Sequence, residues 1–193
     1  MAVELKKGQK VNLKKKVSVG EILINLNWDQ PKKRFLFKPK PIDLDLGCLF
    51  ELKNGLKGTV QALGNAFGSL QSPPYIALDG DDRTGESAGG ENLRINGAKI
   101  SEIKRVLVYT FIYEGAANWQ TANGVVTLRY PGNEDIIVRM DEYNNARRMC
   151  AIALLENTGD DTFSVEKQVT FFDAHPQMDN AYGWGLRWVP GRK

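Results

Sequence analysis

Five carboxylates crowd one short stretch of this chain. From Asp79 to Glu91 they are Asp79, Asp81, Asp82, Glu86 and Glu91, set against one cation, Arg83, with Gly80, Gly85, Gly89 and Gly90 among them. The net charge of −4 in thirteen residues is repulsive unless a cation, a proton or solvent intervenes. Glycines let a backbone turn tightly enough for its carbonyls to converge on one centre. Calcium takes six to eight hard oxygens at roughly 2.3–2.6 Å, from carboxylates, carbonyls and water, and this stretch holds such donors. It is not an EF-hand: counted from Asp79, position 5 is Arg83, position 6 is Thr84 and position 12 is Gly90, where that loop needs an oxygen ligand, Gly and Glu. Spacing alone leaves a second reading open, a solvated turn-rich loop in which Arg83 pairs with a neighbouring acid.

Two other places add acids. Ile42-Asp43-Leu44-Asp45-Leu46 carries aspartates at i and i+2, which share a face if the segment is a strand. Two buried carboxylates side by side are costly unless compensated. A shared cation would compensate them, and so would a position on the solvent face. Asn25-Leu26-Asn27-Trp28-Asp29 ends an apolar run in a further aspartate.

The elements that would hold these groups read as strands. Asn-Gly at 54–55, 96–97 and 123–124 and Pro-Gly at 131–132 are tight-turn signals. Between such turns, strands are expected at 21–27, 44–52, 75–78, 91–95, 105–113, 124–130, 136–140, 149–157, 164–172 and 183–189. Residues 106–113 are apolar at nearly every position, which predicts a central strand covered on both faces. Helix is scarce. Val60, Leu63, Phe67 and Leu70 have approximate helical spacing, and 141–148 has room for a helical turn or two. Many short strands joined by tight turns predict an all-β fold: a two-sheet antiparallel β-sandwich with one or two short helices. The length of 193 residues suits one domain spanning 1–193, with the basic, Pro-rich stretch 31–41 as an exposed loop.

Composition narrows the function classes. No run approaches the roughly 18 apolar residues of a membrane span, and the charged start lacks the apolar segment of a signal peptide, so a cytoplasmic location is expected. Cys48 and Cys150 each sit in an apolar run and read as reduced core residues. The formal charge of +3 hides an asymmetry: residues 1–41 carry eleven Lys or Arg against three acids. That basic front, with Phe35 and Phe37 between its charges, offers a nucleic-acid or anionic surface, against the blander reading of a solvated lysine-rich face. His175 is the sole histidine and reads as a loop residue. Trp184 and Trp188 are spaced to share one face of a strand, as core aromatics do. No nucleophile elbow, P-loop or zinc-ligand cluster occurs, so neither an enzyme nor a small-molecule substrate is expected.

Trp28-Asp29, then Asp43-Leu44-Asp45, then Gly80-Asp81-Asp82-Arg83-Thr84-Gly85-Glu86, in this order, resemble the TerD domain family of tellurium-resistance proteins. The opening Leu5-Lys6-Lys7-Gly8-Gln9-Lys10-Val11-Asn12-Leu13 resembles the family's start, and 79–96 with 103–119 are most similar to its TerA branch. The resemblance covers most of residues 1–140 and is looser over 141–193. It implies a β-sandwich that binds Ca2+ through such loops, with Asp29, Asp43, Asp45, Asp81, Asp82 and Glu86 as ligand candidates and Asp79 and Glu91 behind them. It also implies partners among other tellurite-resistance or stress proteins. The chain departs from the family pattern at Ala88 and Gly90, where acids are usual, so one ion is expected, not two.

Overall fold

The computed structural model describes residues 2–14, 20–31, 41–80, 89–115, 117–159 and 162–191. In chain order the strands are β1 Ala2–Glu4, β2 Lys10–Asn12, β3 Ile22–Asn27, β4 Leu44–Leu52, β5 Lys57–Gln61, β6 Gly68–Ser69, β7 Ile76–Leu78, β8 Glu91–Ile95, β9 Ile103–Ile112, β10 Val125–Arg129, β11 Asp135–Arg139, β12 Met149–Asn157 and β13 Phe163–Phe172. Two short α-helices follow the same order, α1 Trp119–Ala122 and α2 His175–Tyr182. The strands form two sheets, one ordered β1-β11-β10-β3-β8-β7-β6 and the other β2-β13-β12-β9-β4-β5. Pairing is antiparallel apart from β1 with β11. The expected all-β sandwich is the fold found.

Alternation along the strands fixes what each face meets. In β4, Leu44, Leu46, Cys48, Phe50 and Leu52 enter the core between the sheets, while Leu49 lies in a second apolar cluster on the outer face. In β9, Val106, Val108 and Ile112 point inward and Leu107, Tyr109 and Phe111 outward. The outer face of the six-stranded sheet is therefore also covered. Its cover is α2 and the segment after it, through Met178 and Trp184. A strand buried on both sides reads as a continuous apolar run, which is why 106–112 has no polar phase. Cys48 and Cys150 are free and buried; burial pushes the Cys48 thiol up to about 12 and raises Cys150 as well.

Four local expectations are corrected. The apolar spacing at 60–70 is not a helix: Val60 ends in β5, a 3-10 turn covers Leu63–Asn65, and Gly64 and Gly68 adopt φ of 77° and 74°, which no right-handed helix accommodates. Segment 141–148 forms turns. Segment 183–189 is not a strand. It is an irregular stretch held by the buried carboxylate of Asp179, which accepts hydrogen bonds from Gly185 N at 2.7 Å, Leu186 N at 3.0 Å and Trp188 Nε1 at 3.0 Å. Arg105 fastens the same segment. It donates to the carbonyls of Tyr182 and Gly183 and lies 3.8 Å from the Trp184 ring centre. His175 begins α2 instead of lying in a loop.

Among the basic front's described lysines, Lys7 pairs with Glu142 and Lys10 with Glu156 and Glu166. These contacts bind the front to the protein's own acids. No helix among the described residues is long and apolar enough to cross a membrane.

Candidate metal centre at one end of the sandwich

Register brings three strand ends together. β3 runs antiparallel to β8 with Asn25 opposite Asn92 and Leu26 opposite Glu91, so the end of β3 lies beside the start of β8. The start of β10 joins them, Val125 opposite Asn27. The start of β4 comes from the other sheet. The side chain of Glu91 closes that gap, its Oε2 accepting from Leu46 N at 2.6 Å. Glu91 is 2% exposed, so this bond is made away from water and ties the two sheets at that end.

Around it sits a carboxamide cluster. Asn25 Nδ2 donates to Gly89 O at 2.5 Å and to Asn92 Oδ1 at 2.8 Å, and Asn27 Nδ2 donates to Asn25 Oδ1. Gly90 has φ of 64°, and a Cβ there would lie 2.0 Å from Leu26 O. Only glycine lets the chain re-enter β8 so close to β3. In the sequence Asn25 and Asn27 stand only as neighbours of Asp29. Their i, i+2 spacing was the signal that both side chains meet on one face.

The predicted ligands divide by position. Asp43, just before β4, and Asp45, within it, are buried at 5% and 0% exposure, and both are engaged in polar or electrostatic interactions, as is Glu91. Alternation puts the two aspartates on the face opposite Leu44 and Leu46, but they are covered there, so the solvent-face alternative does not hold. Asp45 stands opposite Phe111 in the ladder, and its charge adds to the burial that raises the Tyr109 phenol. Backbone bonds Tyr113 N to Asp43 O (3.0 Å) and Ile42 N to Gln30 Oε1 (2.9 Å) fix this entry to β4. Trp28 Nε1 and Gln30 Nε2 both donate to Ile42 O, so the Trp28–Gln30 segment is stapled to the lead-in of Asp43.

Asp29 is exposed, its Oδ2 accepting from Asn123 Nδ2 at 3.1 Å. Asp79 lies apart from the buried pair: both its oxygens accept from Arg94, at 2.6 and 2.7 Å, and Arg94 also reaches Glu21. That bidentate clamp neutralises Asp79 and raises the Arg94 guanidinium still further. Asp81, Asp82 and Glu86 lie outside the described residues. Among the described residues, no group of three or more His, Cys, Asp or Glu side chains is arranged to hold a metal ion. The donors at this end are carboxylate, carboxamide and carbonyl oxygens, the hard set that suits calcium or magnesium and not zinc or copper.

The comparisons with known proteins agree on kind. The TerD domain family matches residues 1–173. The tellurium resistance protein TerA of an Alcaligenes species is 46% identical over 189 residues, 95% of this chain and 56% of that protein. The chain thus spans about half the length of that relative. Two solved structures share the fold. The protein of unknown function SAV2460 has a TM-score of 0.61 at 15% identity, covering 83% of this chain and 94% of its own. A homologue of telluride resistance protein TerD from Streptomyces coelicolor A3(2) has 0.56 at 17% identity, covering 84% and 95%. By a match over most of its length, and by its likeness to TerA, this chain belongs to the TerD domain family.

Proposed function

We propose that this chain is a calcium-binding, non-catalytic module of a bacterial tellurite-resistance or stress-response system, acting in the cytoplasm. In this reading the ion orders the loop that carries Asp81, Asp82 and Glu86 against the ends of β3 and β4. The ordered surface is then presented to a partner protein of the same system. One observation carries the reading: register and hydrogen bonding gather Asn25–Asp29, Asp43–Asp45 and Gly89–Glu91 at a single end of the sandwich, at the exit of the acidic loop. The tellurite connection rests on family membership and on the TerA relative.

A ligand that binds only the folded state stabilises it by mass action, about 2.7 kcal/mol at a hundredfold excess over Kd. For a chain of this size that is a rise in Tm of roughly 5–10 °C. Isothermal titration of calcium into EDTA-treated protein is expected to show one site, weakened at least tenfold by Asp82→Asn. Absence of binding heat up to millimolar calcium would end the proposal.

A further inference from the structure

A second site lies on the outer face of the six-stranded sheet. There the end of β5 and the segment after α2 enclose a cleft of about 560 Å³, within the size range of small-molecule sites. Its walls are apolar, with Leu63, Pro176 and Trp188 among them. Arg187 is the one permanent charge, and no carboxylate lines the cleft among the described residues. Residues 174–191, which supply more than half of the wall, lie beyond the TerD match at 1–173.

The floor is a built polar network. Gly47 has no Cβ to clash with the Tyr109 ring, which passes 2.8 Å from where one would be. Tyr109 therefore lies flat across β4, and its hydroxyl reaches β5. That hydroxyl is 2.7 Å from Thr59 Oγ1 and donates to Gln61 Oε1 at 2.7 Å. His175 Nε2 reaches the same Oε1 at 2.9 Å. His175 is packed against the rings of Tyr109, Phe111 and Trp188, and burial lowers its pKa to about 4, so it is neutral near pH 7. A neutral imidazole donates through Nε2, and Tyr109 donates to Gln61. Both lone pairs of Oε1 are then used, and the Gln61 amide keeps its Nε2 hydrogens for the cleft. Gln61 is 5% exposed, so these donors sit in a dry place where a hydrogen bond counts for more than in water.

We propose that this cleft binds a small organic anion with a flat apolar body. Arg187 at the rim and Gln61 Nε2 on the floor hold the anionic group, and the body lies against Trp188 and Pro176. A charge-assisted bond from a guanidinium sets the preference for an anion over a neutral isostere. This reading rests on Arg187 and Gln61, neither of them a candidate metal ligand, and is tested without calcium, so its failure would leave the metal reading standing, and the reverse.

The test uses the whole chain in EDTA, titrated with naphthalene-2-carboxylate and, separately, with the neutral naphthalene-2-carboxamide, read by amide and indole NMR shifts. The carboxylate is expected to move Gln61 Nε2, Gly64, Gly191 and the Trp188 indole. Both the carboxamide and the exposed-site variant Arg187→Gln should bind at least about fivefold more weakly, the scale of one charge-assisted bond. No shift at these positions up to about 5 mM carboxylate, the limit of useful affinity, overturns the proposal. So does equal binding of acid and amide, or full affinity in Arg187→Gln.

Discussion

At the scale of single residues, two positions at the metal end carry separate structural burdens. Glu91 satisfies a buried backbone donor of the opposite sheet. Glu91→Leu leaves Leu46 N without that acceptor and is expected to cost about 1–3 kcal/mol, whereas Glu91→Gln, which keeps an acceptor oxygen, should cost less than half of that. Urea denaturation of the two variants separates them; equal losses would show that charge, not the bond, is what matters there. Gly90→Ala meets both a positive φ and the Leu26 carbonyl and should exceed the ~1 kcal/mol expected of an ordinary αL penalty. His175 gives a pH signature. Its folded pKa of about 4 lies below the ordinary histidine value of 6.5, so the unfolded chain binds the extra proton between those limits. Stability is fully retained above about pH 6.5 and falls as pH drops toward 4, by at most about 3 kcal/mol. His175→Phe should flatten that part of the curve, and a variant curve parallel to the parent's would refute the assignment.

At the scale of elements, the sequence showed the strands whose burial is asymmetric or complete and hid those whose position depends on distant partners. β4, β8 and β12 have the bounds that their apolar runs predict, with Asn-Gly turns closing β4 and β8. β1 and β2 escaped notice since three residues cannot show a period; they are strands only because β11 and β13 offer edges. The supposed strand at 183–189 had the right spacing of tryptophans for the wrong reason. Trp184 is buried by its bond to Phe50 O and by Arg105, contacts that no local pattern encodes. For that segment Asp179 is the anchor. Asp179→Ala strips three N–H groups of their acceptor and should release 183–191 while leaving the sandwich intact. Hydrogen exchange is expected to rise by tenfold or more at Gly185 and Leu186 with β9 and β12 unchanged. Loss of protection throughout would mean that the segment is part of the global core.

At the scale of the whole molecule, β1 pairs in one sheet and β2 in the other, with Leu5 buried between them. The chain's start is thus a strap across both layers. Lys7 and Lys10 of this strap pair with acids of β12, β13 and the 142 turn, so a small part of the charge asymmetry visible along the sequence is offset in space. The candidate site was legible as a set of segments and not as a set of ligands. Trp28 and Gln30 do meet the lead-in to Asp43 through Ile42 O, whereas Asp81, Asp82 and Glu86 lie outside the described residues. Sequence could not tell that Asp79 belongs to Arg94, that Glu91 belongs to a backbone amide, or that two asparagines complete the cluster, because each of these follows from cross-strand register.

The central claim is that oxygens from the acidic loop and from the ends of β3 and β4 share one hard divalent ion. Crystals of the full chain grown with calcium, measured at a long wavelength for anomalous signal, test it directly. The account predicts one anomalous peak, coordinated at the ~2.3–2.6 Å of calcium–oxygen bonds by Asp81, Asp82 or Glu86 together with a side chain from Asp29, Asp43 or Asp45. A peak held by the loop alone, or no peak at saturating calcium, would contradict it.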